Sequence, residues 1–180
     1  MLGLIISSDL RWYSNTKAIY NKAMSKMWLI RRMKILKLEP ELIFDYYVKE
    51  IRVLAEQGVV IWNSGLTRSQ ITELEKIQKV ALKIILGEQY ASYKTACDLF
   101  KIDKLSTRRL KLCTQFAIKL YKSDKSYNFF KHAKRVAKTR AEQPLLVENL
   151  CNTKRAYNAP HNYLTRLVNQ NQSKIKQNRK

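Results

Sequence analysis

The sequence predicts an all-α protein of about five helices. Two observations carry that expectation. Only four Gly and three Pro punctuate 180 residues, too few for the turns an all-β chain needs. Apolar residues also recur at three- and four-residue spacing in several separate windows, the period of a helix with one buried face. With 46% hydrophobic residues the chain has the material for a sizeable core.

Leu2 to Ile6 is a short apolar run followed by Ser7, Ser8 and Asp9. It reads as a lone strand with no partner in this chain. From Ser14 the pattern turns helical. Ile19, Ala23, Met27, Ile30 and Met33 form one face, and Lys17, Lys22, Lys26, Arg31, Arg32 and Lys34 the other. Pro40 suits the first turn of a second helix. Leu42, Ile43, Tyr46, Tyr47, Ile51 and Leu54 mark its buried stripe to about Gln57.

Val59 to Trp62 is apolar on every side, as a helix end or an extended link, and Asn63-Ser64-Gly65 is a turn. Thr67 followed by Gln70 is a capping-box pattern. It opens a helix through Leu86 whose inward face is Ile71, Leu74, Ile77, Ala81 and Ile85, widened by Leu82 and Ile84. Gly87 is placed to end it in a left-handed conformation. Ser92 caps a short helix to Phe100. Ser106 caps another, with Leu110, Cys113, Ala117 and Leu120 inward and Arg108, Arg109, Lys111 and Lys119 outward. A short helical piece is expected around Tyr127 to Ala133. Beyond Lys134, Asn, Gln, Lys and Arg dominate, and a basic, poorly ordered end is expected. The organisation is therefore a junction over 1–13, a helical domain over 14–133 and an irregular tail over 134–180.

Thirty-five Lys and Arg oppose fourteen Asp and Glu, for a formal charge of +21. The excess is uneven: fifteen against ten over 1–100, and twenty against four over 101–180. Such an imbalance costs self-repulsion that a polyanion relieves. The expected partner is RNA, DNA or their hybrid, held without sequence readout. The candidate phosphate contacts are Arg31, Arg32, Lys34, Arg108, Arg109 and Lys111. Lys131, Lys134, Arg135, Lys138 and Arg140 form a further basic group. Tyr46, Tyr47 and Trp62 are candidates for base stacking, although their spacing and apolar neighbours place them in the core.

Catalytic motifs are missing. The sequence holds no Gly-rich phosphate loop, HExxH or nucleophile elbow. Glu73 and Glu75 read as exposed acids near a helix start, complementing its dipole. Two-metal chemistry takes clustered carboxylates, and none is visible. No catalytic residue, metal site, cofactor or small-molecule substrate is expected. Cys97, Cys113 and Cys151 have neither zinc nor disulfide spacing and read as reduced thiols of an intracellular, non-secreted protein. No uncharged run approaches the roughly 20 residues a bilayer takes.

Several blocks together resemble a known family. LGLIISSDLRW at 2–12 is similar to the segment after the palm of non-LTR retrotransposon reverse transcriptases of the jockey-like groups. IYNKAMSKMWLIRRMK at 19–34, VVIWNSGLT at 59–67 and LEKIQKVALKIILG at 74–87 resemble later blocks in the same order, the last being the most specific. The run from Tyr90 to Lys119 follows, and 139–169 does so loosely. The resemblance implies the helical thumb and connection region, which grips the template–primer duplex behind the polymerase site. The family's paired palm aspartates are not in this sequence. The resemblance therefore implies a catalytically inactive carboxy-terminal portion of an RNA-directed DNA polymerase, in the nucleus or cytoplasm. The rival expectations are a co-opted protein-interaction module, docking where the palm would sit, and a product without function.

Overall fold

The computed structural model describes residues 3–123, 125–133 and 144–177. Its regular structure is helical, and among the described residues no strand forms beyond a single bridge between His132 and Leu146. The all-α expectation holds. The chain divides into two compact units. One comprises residues 1–59 and 66–109, the other 60–65 and 110–180.

In the first unit, residues 3–11 form no strand. Leu4 packs its side chain onto Gly58, and the Ile5 amide donates to Asn15 Oδ1 at 3.1 Å. Ile5 and Ile6 are exposed. An unpaired strand has no ladder to satisfy its backbone, so the segment instead lies against its neighbours as irregular chain.

Helix α1, Tyr13–Ile35, buries Ala23, Met27 and Ile30. Next come α2, Pro40–Tyr46, a π-helical stretch, Tyr47–Arg52, and α3, Val53–Glu56. The π stretch explains a departure from the expected stripe. Its i→i+5 hydrogen bonds widen the turn, so the inward row advances by four: Ile43, Tyr47, Ile51 and Ala55, all fully buried. Leu42, expected inside, is 53% exposed. Gly58 then turns the chain at φ +61°, where a Cβ would lie 2.9 Å from Leu4 Cδ1.

Helix α5, Arg68–Leu86, follows the short α4, Val59–Trp62, and a 3₁₀ turn, Asn63–Gly65. Its capping box forms as the sequence specifies. The Thr67 amide donates to Gln70 Oε1 at 2.8 Å and the Gln70 amide to Thr67 Oγ1 at 3.3 Å. Gly87 closes the helix at φ +57° and ψ −120°, a backbone open to glycine but outside the left-handed helical well expected of it.

α1 and α5 lie side by side and parallel. At their first turns Gln70 Nε2 donates to the Arg11 carbonyl at 3.0 Å; at their last turns Lys34 Nζ donates to the Ile85 carbonyl at 2.6 Å. A parallel pair sets two negative dipole ends together. The Lys34 ammonium at that point, with Arg32 and Lys83 in the last turns, offsets the repulsion.

α6, Tyr93–Leu99, is capped by Ser92 through the Thr95 amide at 3.1 Å. α7, Leu105–Lys122, begins one residue before Ser106. Ser106 therefore lies within the first turn and is not its cap. The acceptor is Glu75, which receives the amides of Leu105 at 2.8 Å and Ser106 at 2.9 Å, together with the Tyr93 hydroxyl. Glu75 is 8% exposed, which corrects the expectation of a solvated acid. A carboxylate here meets two of the amides that a helix start leaves unsatisfied, and favours its positive dipole end. One turn further, Gln78 accepts from the Tyr47 hydroxyl at 3.0 Å and donates to the Asp103 carbonyl at 2.9 Å.

In the second unit, Trp62 is fully buried with Cys113, Ala117, Leu146 and Val168 in its core. Between 154 and 177 the described chain is largely helical and not the irregular tail expected. α8, Ser126–Phe129, is followed by α9, Lys154–Tyr157, α10, Pro160–Gln170, and α11, Gln172–Gln177. Pro160 opens α10, and Leu164, Leu167 and Val168 bury one face of it. Asn169 then exchanges two hydrogen bonds with the Leu146 backbone, both 3.0 Å. A helix with an apolar stripe gains more from packing than its polar composition suggests.

Two predictions follow from the buried polar groups. Glu75→Ala lowers stability by roughly 2–4 kcal/mol, because it strands two helix amides and a hydroxyl, whereas Glu73→Ala stays within about 0.5 kcal/mol; urea unfolding midpoints check both. Desolvation pushes the Tyr47 phenol well above the ordinary tyrosine range. It does the same for Tyr93, helped by the bond to Glu75. As pH rises past about 10, the unfolded chain releases phenol protons that the folded chain keeps, so stability falls with pH. Tyr47→Phe makes that alkaline decline shallower, read as unfolding midpoint against pH.

Candidate nucleic-acid interface

The six candidate cations do not share one environment. Arg31 and Arg32 are exposed on the penultimate turn of α1. Lys34, only partly exposed, is committed to the Ile85 carbonyl. Arg108 donates its Nε to Glu56 Oε1 at 3.2 Å, with its side chain 35% exposed. Glu56, itself 14% exposed, also lies 3.1 Å from Arg52 Nε. That pair of cations around one shielded carboxylate is an internal ion network. Arg109 is 1% exposed and takes its place in the inward row Leu105, Arg109, Cys113, Ala117 and Tyr121.

This corrects the expected outward face of α7. The row advances by four residues, so Arg109 points in and Leu110, expected inside, is 45% exposed. A guanidinium enclosed this way is not positioned for a phosphate. Lys111 is exposed on the same helix. Of the further basic group, Lys131 is exposed, and Lys134, Arg135, Lys138 and Arg140 lie outside the described residues. Tyr47 and Trp62 are fully buried, as their apolar neighbours require.

A better-ordered row stands on α5. Arg68, Lys76, Lys79 and Lys83 are all exposed. Their spacing, with Thr72 between the first two, follows steps of three and four residues, so they share one face. At 1.5 Å per residue the row is about 22 Å long. The Lys79 ammonium sits 5.2 Å from the centre of the Tyr93 ring, whose hydroxyl is held by Glu75. A cation over an aromatic face keeps its charge while losing freedom. Because α1 and α5 end together, Arg31 and Arg32 lie at the same end of the pair as Lys83. The sequence carried the signal for this row, since its cations occupy the helical arc between the buried residues. It is hidden in a linear reading, which ranks adjacent pairs such as Arg108-Arg109 higher.

Chemically the arrangement is a set of point charges on a rigid helix. Among the described residues no group of three or more His, Cys, Asp or Glu side chains is gathered to hold a metal ion, and no helix is long and apolar enough to cross a membrane. The buried carboxylate Glu75 and the half-buried Glu56 are each engaged with internal donors. No protein-family model, no curated protein and no solved structure matches this chain.

The division between buried and exposed arginines gives a direct prediction. Arg108→Gln and Arg109→Gln lower the unfolding free energy by roughly 1–3 kcal/mol each, read from urea unfolding midpoints, because they disturb an internal ion network and the packing of α7. Arg31→Gln and Arg32→Gln stay within about 0.5 kcal/mol of the parent.

Proposed function

We propose that this chain is a non-catalytic, nucleic-acid-gripping helical region of the retrotransposon reverse transcriptase type. It binds the backbone of RNA, DNA or an RNA–DNA hybrid without reading sequence. The observation that carries the reading is the exposed cationic row Arg68, Lys76, Lys79 and Lys83 on one face of α5. The same helix holds the block LEKIQKVALKIILG, which most resembles that family. Arg31 and Arg32 extend the charged surface at the end of α1, and the formal charge of +21 supplies long-range attraction to a polyanion.

Lysine and arginine contacts to phosphate position a duplex but carry no base information. Anchoring the row on a packed helix, with Tyr93 beneath Lys79, lowers the ordering cost of each contact. The reading gives these residues no bond-making step. Nucleotidyl transfer takes clustered carboxylates on metal ions, and Glu75 and Glu56 serve instead as a helix cap and an ion-network centre.

The test is a titration of the chain with a fluorescent RNA–DNA hybrid across salt concentrations. Six phosphate contacts give log affinity against log salt a slope of about −5. The variant Lys76→Gln/Lys79→Gln/Lys83→Gln reduces the magnitude of that slope by about 3 while its unfolding curve still shows a folded chain. An unaltered slope, or negligible binding at low salt, overturns the reading.

A further inference from the structure

Of the three tryptophans, Trp12 and Trp62 are 7% and 0% exposed, whereas Trp28 stands 59% exposed on α1. Desolvating that indole is favourable, and an isolated surface tryptophan on a folded helix invites the question of what covers it. Its neighbours on the helix surface answer. Arg31, Arg32 and Ile35 follow at three, four and seven residues, and so share its face. Both arginines are exposed, and Ile35 is 68% exposed. Among the described residues no carboxylate pairs with Arg31 or Arg32. The face is thus an aromatic plate beside two guanidinium groups, with an apolar rim and no internal neutralisation.

That composition is the one that holds single-stranded nucleic acid: a ring for a base to stack on, and cations for the flanking phosphates. A fully paired duplex offers Trp28 no open base face. We infer that Trp28 is a stacking platform for an unpaired nucleotide, with Arg31 and Arg32 taking the adjoining phosphates. The inference rests on the nucleic-acid reading above and narrows it to a ligand with a single-stranded extension beside a paired region. The α5 row holds the duplex backbone, and the Trp28 face holds the overhang. An acidic amphipathic peptide is the alternative occupant, and the unopposed arginines together with the basic excess of the whole chain favour the polyanion.

Because Trp28 is the one exposed indole, contact quenching of tryptophan emission reports on this face, and the Trp28→Phe variant supplies the signal of the two buried tryptophans. The experiment titrates the full chain with a blunt RNA–DNA hybrid and with the same hybrid bearing a short single-stranded overhang. The overhang substrate is expected to quench tryptophan emission, and Trp28→Phe to abolish the quench while keeping most of the affinity. Trp28→Ala is expected to weaken overhang binding roughly 5- to 150-fold and blunt binding by less than about twofold. Overhang binding without a quench, or equal losses on both substrates, overturns the stacking platform while leaving the α5 grip standing. No binding of either substrate removes both. A quench by an acidic amphipathic peptide but by neither oligonucleotide assigns the face to a protein partner and overturns the inference.

Discussion

The Glu75 carboxylate is the contact on which the first unit depends. It lies on α5, yet it accepts the opening amides of α7 and the hydroxyl of Tyr93 from α6. One side chain thereby joins three helices whose packing surfaces are otherwise largely apolar. Apolar contact determines that helices adhere; hydrogen bonds to a buried charge determine in what register. Gln78 repeats the device one turn on, joining Tyr47 of the π-helical stretch to the Asp103 backbone. With its inward side bound this way, α5 has one face left for solvent, and that face is cationic.

The charge of the chain is therefore of two kinds. Some cations are structural. Lys34 offsets the paired negative ends of two parallel helices, and Arg52 with Arg108 encloses Glu56. Others are bound to no carboxylate among the described residues and stand in an exposed row on a stiff helix. Net charge alone does not distinguish them. Position relative to helix ends and to buried carboxylates does, because the cost of leaving an ion unmatched rises steeply with burial.

Much of the fold was legible in the residues. The capping box at Thr67, the Ser92 cap and Pro40 at a helix start all speak through local chemistry, and each element forms there. What escaped depends on tertiary context. Glu75 differs from Glu73 only because α6 and α7 arrive over it. The π turn resets the register after Tyr47, so the row ends on Ala55 and not on the expected Leu54, which no 3.6-residue period foretells. Arg109 and Leu110 exchange places on α7 for a related reason, a row stepping by four. The α10 stripe of Leu164, Leu167 and Val168 was present at helical spacing behind Pro160, but polar composition masked it. For the candidate interface, adjacent arginines drew attention that helical projection gives to α5 instead.

The central claim is that the outward face of α5 meets a nucleic-acid backbone. Amine footprinting tests it most directly, with lysine acetylation measured by mass spectrometry in the presence and absence of an RNA–DNA hybrid. Protection of Lys76, Lys79 and Lys83 on binding, with Lys34 slow to react in both states, is the predicted pattern. Protection confined to Lys131 and the lysines that follow it, with the α5 row unchanged, would contradict the account.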